Sequence, residues 1–393
     1  MTPTTHRILG AGAVWVLGAI VLRLTLLAPE QCPELTVEQA RAAAVAGADW
    51  IVANQEETGR YLYSYDRTTQ DAAVPGYNGV RHAGTTMALY QLILAGETQY
   101  LDAADRAVDF MLERGIETGP DALAWSMDGA DPKLGSVALL TVALAHRRLA
   151  TGDTSYDDTL RALGHHMEGQ ALPDGVMLNY WRRSTGQPDP SQRSRYATGE
   201  ALWGLALLHD AFPDEGFDDT AWPILDYLSL RRDEEEDLFP RPWPDQWAAY
   251  SLAQMGPWGL EQHHIDYARE LAGQFGIQVR WDAQNEGVAH LTHGPITNAA
   301  GFGTVVEGLS SLHRLSIEDE RLADLTEPTA ERMACGAARL ADRQATADDV
   351  VHAGAAEQEV GAWFSDDATR VDDQQHAASG LLLTEIALPG GTP

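Results

Sequence analysis

RYATGEALWGLALLHDAF (195–212) decides the fold. It begins with charged and aromatic residues and runs, past Glu200, into a helix of Ala, Gly, Leu and Trp that is apolar on most faces. Such a helix is suited to burial all round. The same passage from a polar, aromatic-rich segment into a small-residue helix recurs at RHAGTTMALYQLILAG (81–96), KLGSVALLTVALAHRRLA (133–150), DQWAAYSLAQMG (245–256), TNAAGFGTVVEGLSSL (297–312) and QHAASGLLLTEIAL (375–388). Recurrence at a spacing of roughly 50 to 80 residues marks repeated supersecondary units.

Between these starts lie more amphipathic stretches, at 37–55, 99–115, 155–170, 217–232, 263–276 and 327–344. In QYLDAADRAVDFMLERG, Ala103, Ala107, Phe110 and Met111 form a one-sided stripe, while Asp and Glu keep the other face for water. The alternation predicts an outer helix, a loop and an inner helix, six times over. The expected fold is all-α: an (α/α)6 toroid of six helical hairpins over 36–390, with short β-like segments on one rim. Its length of about 355 residues fits one domain, because each hairpin packs mainly on its neighbours.

The N-terminus carries the membrane signal. Ile8 to Ala28 is a run of 21 residues with one charge, Arg23, near its end. A run of that length can span a bilayer, and Arg23 can snorkel. Arg7 precedes it while Glu30, Glu34 and Glu38 follow, which places a tail at 1–7 in the cytoplasm and, after a linker at 29–35, the large domain outside. A cleaved signal peptide fits less well, since Leu26 stands where a small residue is wanted and Pro29 follows Ala28. The expected location is therefore the cell membrane, single-pass, with the large domain periplasmic or extracellular.

Two cysteines are present. A Cys32–Cys335 disulfide is open to an oxidising compartment, but Cys335 within RMACGAARLA reads more simply as a small buried hydrophobe. No metal site is expected. The pairs His165–His166 and His263–His264 lie on outer helices, where adjacent residues face different directions.

A net charge of −31 excludes a generic nucleic-acid binder. Yet Arg60, Arg67, Arg81, Lys133, Arg182, Arg183, Arg193, Arg195, Arg241, Arg280 and Arg370 all fall in segments leading into inner helices. These segments should emerge on one rim and give a basic mouth suited to an anionic substrate, an anionic glycan or other envelope polymer. Aromatics crowd the same segments: GRYLYSYD (59–66) reads as a short strand, and ALAWSMDG (122–129), GVMLNYWRR (175–183), LFPRPWPDQW (238–247), IQVRWDAQN (277–285) and GAWFSDD (361–367) resemble it. Tyr61, Tyr65, Trp125, Tyr180, Trp181, Trp243, Trp247, Trp281 and Trp363 are thus candidates to line one cavity. Flat rings beside polar groups fit the apolar face and hydroxyl rim of a sugar.

The architecture resembles the six-hairpin (α/α)6 toroid superfamily, which includes many glycoside hydrolases, sugar 2-epimerases and polysaccharide lyases or uronyl epimerases. The resemblance covers most of residues 36–390 and lies in the hairpin pattern; no family-specific catalytic signature matches. Related toroids fit worse. Terpenoid cyclases use a D-x-D-D motif, absent here, and the zinc toroids use cysteines that this domain lacks. Fold analogy leaves the chemistry open.

Acid–base candidates at the mouth are Glu200, Asp245, His82, His376 and Tyr65, with Arg81, Arg195, Tyr196, Asp66, Tyr61, Trp181, Trp247, Trp363 and Gln375 as substrate-binding partners; Asp128 and Asp366 are further carboxylates. Arg81 and His82 stand in the first turn of an inner helix, where the dipole favours a neutral, basic imidazole. Glu200, one turn into its helix, is placed for desolvation and a raised pKa. Asp245 is equally readable as a helix N-cap. In a hydrolase, one of Glu200 and Asp245 protonates the leaving oxygen while another carboxylate activates water. In a uronate epimerase or lyase, Arg81 or Arg195 neutralises the substrate carboxylate while His82, His376 or Tyr65 moves the adjacent proton. Neither mechanism needs a cofactor. The remaining alternative is a non-catalytic toroid that binds an envelope polymer or a partner protein.

Overall fold

In the computed structural model, residues 3–72, 76–127, 129–352 and 354–388 are described, with side chains from residue 12 onward. Asp128 lies outside the described residues. The chain runs α1 (Pro3–Thr25), α2 (Val37–Ala53), α3 (Gly79–Leu94), α4 (Leu101–Leu112), α5 (Leu134–Thr151), α6 (Asp157–Gly169), α7 (Ala197–Ala211), α8 (Phe217–Leu230), α9 (Gln246–Met255), α10 (Gln262–Ala283), α11 (Ala299–Glu318), α12 (Thr326–Asp342) and α13 (Val371–Leu383). From α3, the odd helices are the inner ones. They touch in a closed ring, α3 to α5 to α7 to α9 to α11 to α13 and back to α3. This is the (α/α)6 toroid.

Burial follows the composition. In α5 every residue from Leu134 to His146 is buried, whereas α4 buries the stripe formed by Ala103, Ala104, Ala107, Val108, Phe110 and Met111. The tight hairpins run from inner helix to the following outer helix: α4 packs on α3, α6 on α5, α8 on α7 and α12 on α11. The last inner helix, α13, receives the first outer helix, α2, so the two ends of the chain make the sixth hairpin. Long connections, from outer to next inner helix, are left on one rim. There β1 (Ser64–Asp66) pairs antiparallel with β2 (Ala368–Arg370), Tyr65 facing Thr369, and ties the first rim loop to the last.

Several rim expectations change. Residues 277–283 are the last turns of α10, and 238–244 form a bent segment ending at Asp245, the cap of α9. Trp363 makes a single bridge to Gln344 and is fully buried, with Nε1 donating to the Leu340 carbonyl at 2.7 Å. It is a core tryptophan.

The N-terminal expectations change too. A membrane span was expected over 8–28, but among the described residues no helix is long and apolar enough to cross a membrane. The helix closes at Thr25, Arg23 folds onto the Leu27 carbonyl, and Ala28 is already buried, so the end of the apolar run does not lengthen it. Beyond it the strap lies across α10 and α12. The Gln31 N–H donates to the Ala283 carbonyl at 2.8 Å, Arg339 donates to the Gln31 carbonyl at 3.0 Å, and Glu30 pairs with Arg280 and Arg332. Cys32 is bonded to Cys335, Cα to Cα 4.9 Å, so Cys335 is half of a disulfide rather than the free buried thiol that its helix context suggested.

Candidate active site

The N-terminal ends of the inner helices surround a cavity of about 610 Å³ on the rim of long loops. Of the acid–base and substrate-binding candidates, Arg81, Tyr196, Glu200, Trp247, Gln375 and His376 line it. They come from α3, α7, α9 and α13, brought together because each stands at or within one or two turns of a helix start. Tyr180 and Trp243 add aromatic surface, and Asn78, Lys133, Asn179 and Asn298 add polar groups.

Glu200 projects from α7 towards Gly135 of α5. A Cβ built on Gly135 would lie 2.1 Å from Glu200 Oε2, so the carboxyl occupies space that only glycine leaves free. Gly84 does the same for the Gln375 amide, at 2.6 Å. Burial, reinforced by the Asp245 charge and opposed by His376, pushes the Glu200 carboxyl up to about 8. The shift favours its protonated form at neutral pH.

Opposite stands His376. Its Nδ1 lies 2.8 Å from Oε2 of Glu307, a fully buried carboxylate on α11 that the sequence reading overlooked. Burial alone would lower the imidazole, but the Glu307 charge and hydrogen bond outweigh it and hold it above its ordinary value. Trp247 packs beside this ring, centroids 5.9 Å apart.

The third charged group is Asp372, also overlooked. Its Oδ2 accepts from Arg81 Nε at 2.8 Å and Arg370 Nη2 at 2.7 Å, and Oδ1 accepts from Arg370 Nε. Burial would raise this carboxyl, yet Arg370 and Arg81 hold it below the usual carboxylate range. Glu200 and Asp372 thus line one cavity with their proton affinities driven apart.

The basic mouth is smaller than expected. Among the cations in the rim segments, Arg81, Lys133 and Arg370 line the cavity. Arg182 is held by Asp131 and Asp189, Arg67 by Asp367, and Arg195 stacks over Trp243 at 4.8 Å. Lys133 has no carboxylate partner among the described residues; its ammonium stands 5.8 Å from the Tyr180 ring.

Other candidates are placed elsewhere. Asp245 is fully buried outside the cavity lining: Oδ1 accepts the Trp247 and Ala248 N–H groups at 3.0 and 3.2 Å, capping α9, and Oδ2 pairs with buried Arg232. His82 follows Arg81 by one residue, about 100° round the helix, and so faces α4. Tyr77 Oη lies 2.7 Å from its Nδ1 and the Ala107 carbonyl 3.1 Å from its Nε2, and burial pushes it down to about 3. It is neutral, as expected, but away from the mouth. Tyr61 is a core residue bonded to Thr86, Tyr65 is buried in the β1–β2 ribbon beside another surface pocket, and Trp125 is a core residue donating to the Ser136 carbonyl. Asp66 caps its own turn at Thr68 and Thr69, and Trp181 and Asp366 lie outside the lining.

One metal expectation is also revised. His263 and His264 Nε2 both meet Asp226 Oδ1, at 2.8 and 2.9 Å, despite their adjacency. His264 Nδ1 accepts the Glu261 N–H, so its Nε2 carries the proton given to Asp226 and offers no lone pair. This outer-helix cluster is a hydrogen-bonded clasp.

The sequence matches no protein-family model and no curated protein. Solved structures do resemble the fold. An α-1,6-mannanase of glycoside hydrolase family 76 from Salegentibacter sp. superposes with a TM-score of 0.60 at 12% identity, covering 89% of this chain and 99% of that one. A D-mannose isomerase gives 0.59 at 14% identity, over 88% and 97%, and an α-amylase from Clostridium perfringens gives 0.58 at 11%, over 87% and 97%. At such identities the likeness concerns the fold: a toroid of helical hairpins of the kind found in glycoside hydrolases and sugar isomerases.

Proposed function

We propose that the protein is a glycan-active enzyme that uses Glu200 as its proton donor, with hydrolysis of an acidic glycan as its reaction. The observation carrying this is the neutral Glu200 carboxyl in a cavity walled by Tyr180, Tyr196, Trp243 and Trp247. Glu200 gives its proton to the leaving glycosidic oxygen as the C–O bond breaks. Water adds to the anomeric carbon, and its proton passes to Asp372, the carboxylate kept ionised in the same cavity. Lys133, with its charge unpaired, is placed to meet a substrate carboxylate.

A second reading rests on the His376–Glu307 pair. A histidine held by a buried carboxylate can remove and return a proton next to a carboxylate or carbonyl, giving epimerisation or elimination on a uronate. The full chain should be incubated with acidic and neutral envelope oligosaccharides while reducing ends, unsaturated products and solvent deuterium uptake are followed. New reducing ends that vanish in Glu200→Gln support hydrolysis. Deuterium uptake or unsaturation that vanishes in His376→Asn supports the second reading. Silence in all three with retained glycan binding leaves the toroid a binding module.

We also propose an extracytoplasmic location with residues 8–28 as the membrane tether. The Cys32–Cys335 bond supports it, being chemistry of oxidising compartments. Carbonate-resistant sedimentation of the full chain with membranes is the expected result; release into the supernatant contradicts the tether.

A further inference from the structure

The toroid has a second axial cavity, of about 360 Å³, at the end opposite the mouth. It is built from the middle and C-terminal parts of all six inner helices, so it faces away from the long rim loops. Its character differs from that of the mouth. Trp203 and Tyr250 form a stacked wall, ring centroids 4.1 Å apart and 11° from parallel, and Leu94, Leu382, Leu383 and Ile386 supply aliphatic surface.

Two charged groups stand at its edge besides His146, which burial keeps below its ordinary pKa. Glu385 is already satisfied, bound by Arg41 through two hydrogen bonds of 2.6 and 2.8 Å. Arg314 is exposed and forms no ion pair with a carboxylate among the described residues. A largely apolar wall with one guanidinium free of ion pairs at its opening recognises a particular chemistry: an apolar body carrying a single carboxylate. The polar residues of the lining are engaged within the protein: Gln91 accepts from Ser379, Gln254 donates to Asp210, and Ser310 and Ser311 donate to the Val306 and Glu307 carbonyls.

We propose that this cavity is a second binding site, for a small aryl- or alkyl-carboxylate whose apolar part lies against Trp203 and Leu383 and whose carboxylate meets Arg314. The site is not isolated from the mouth. Trp203 and Tyr250 stack on Trp247, with centroids 5.9 and 5.8 Å away, and Trp247 lines the upper cavity. One aromatic column therefore borders both chambers.

Calorimetric titration of the full chain with phenylacetate, and with uncharged phenylacetamide as comparator, tests the assignment. Saturable binding of phenylacetate at a single site is expected. Leu383→Trp, which fills the cavity from a half-buried position, should abolish binding of both compounds. Arg314→Ala should weaken phenylacetate about fivefold, the scale of a partly exposed ion pair, and leave phenylacetamide unchanged. Lys133→Ala, at the mouth, should leave both unchanged. Absence of saturable binding, or binding indifferent to Leu383→Trp, overturns the site. Loss in Leu383→Trp without any effect of Arg314→Ala overturns the carboxylate assignment.

Discussion

Glu200 and Asp245 begin adjoining inner helices, are both buried, and face opposite fates. Asp245 accepts two backbone N–H groups and pairs with Arg232, so every part of its charge is answered by the protein. Glu200 faces open cavity, with Asp245 and His376 as the charges acting on it. Burial raises the proton affinity of each carboxyl; what separates them is the partner. A buried carboxylate whose guanidinium and helix-start partners shut it away from any cavity, like Asp245, is a structural part, whereas one that opens on a cavity, like Glu200, is free to exchange a proton with a ligand.

Removing the Asp245 charge gives the largest expected effect. Asp245→Asn strands the Arg232 guanidinium in the core and should cost about 3–5 kcal/mol of unfolding free energy, read by denaturant titration. A loss below about 1 kcal/mol would mean that solvent reaches the pair and that the contrast with Glu200 is weak.

Glu200→Gln should do the reverse. Turnover should fall about 10²- to 10⁴-fold, the usual weight of a general acid, while stability holds or rises. The sign follows from the protons. The folded state keeps the Glu200 proton up to about pH 8, whereas an unfolded glutamate releases it near 4.5, so the stability contributed by the neutral carboxyl is complete below 4.5 and falls as pH rises to 8. The variant, with no proton to lose, should gain on the wild type through that window, by an order of 4 kcal/mol at its top, and match it in acid. Parallel thermal unfolding curves against pH measure this.

On the epimerase or lyase reading, Glu307→Gln should lower activity by about tenfold to a hundredfold and shift the limb of the pH–rate profile due to His376 to lower pH, because the charge that raises the imidazole is gone. An unshifted profile with reduced turnover would make Glu307 a packing residue. Smallest of all, Lys133→Ala should raise KM a few-fold for acidic glycans with kcat nearly constant, a half-buried cation that solvent still reaches contributing about 1 kcal/mol. An equal effect on neutral glycans would remove the charge-reading role.

The same comparison explains what was legible in the sequence. Inner and outer helices were readable because all-round apolarity and one-sided stripes are properties of the local chain. Glu200 stood out as a lone carboxylate inside a helix with no exposed face. Glu307, in TNAAGFGTVVEGLSSL, carries that same signal and was overlooked. Asp245 at a helix start has two readings, and only the distant Arg232 settles between them. His82 failed for angular reasons: one residue from Arg81 turns the side chain from the mouth to α4. Asp372 depends on Arg81, which is 291 positions away, a pairing no local pattern contains.

The protonation state of Glu200 tests the central claim most directly. Infrared difference spectra of wild type minus Glu200→Gln should show a protonated carboxyl stretch at neutral pH that disappears with a midpoint near pH 8. A carboxylate already ionised at neutral pH, with no such stretch, would contradict the assignment of Glu200 as the acid.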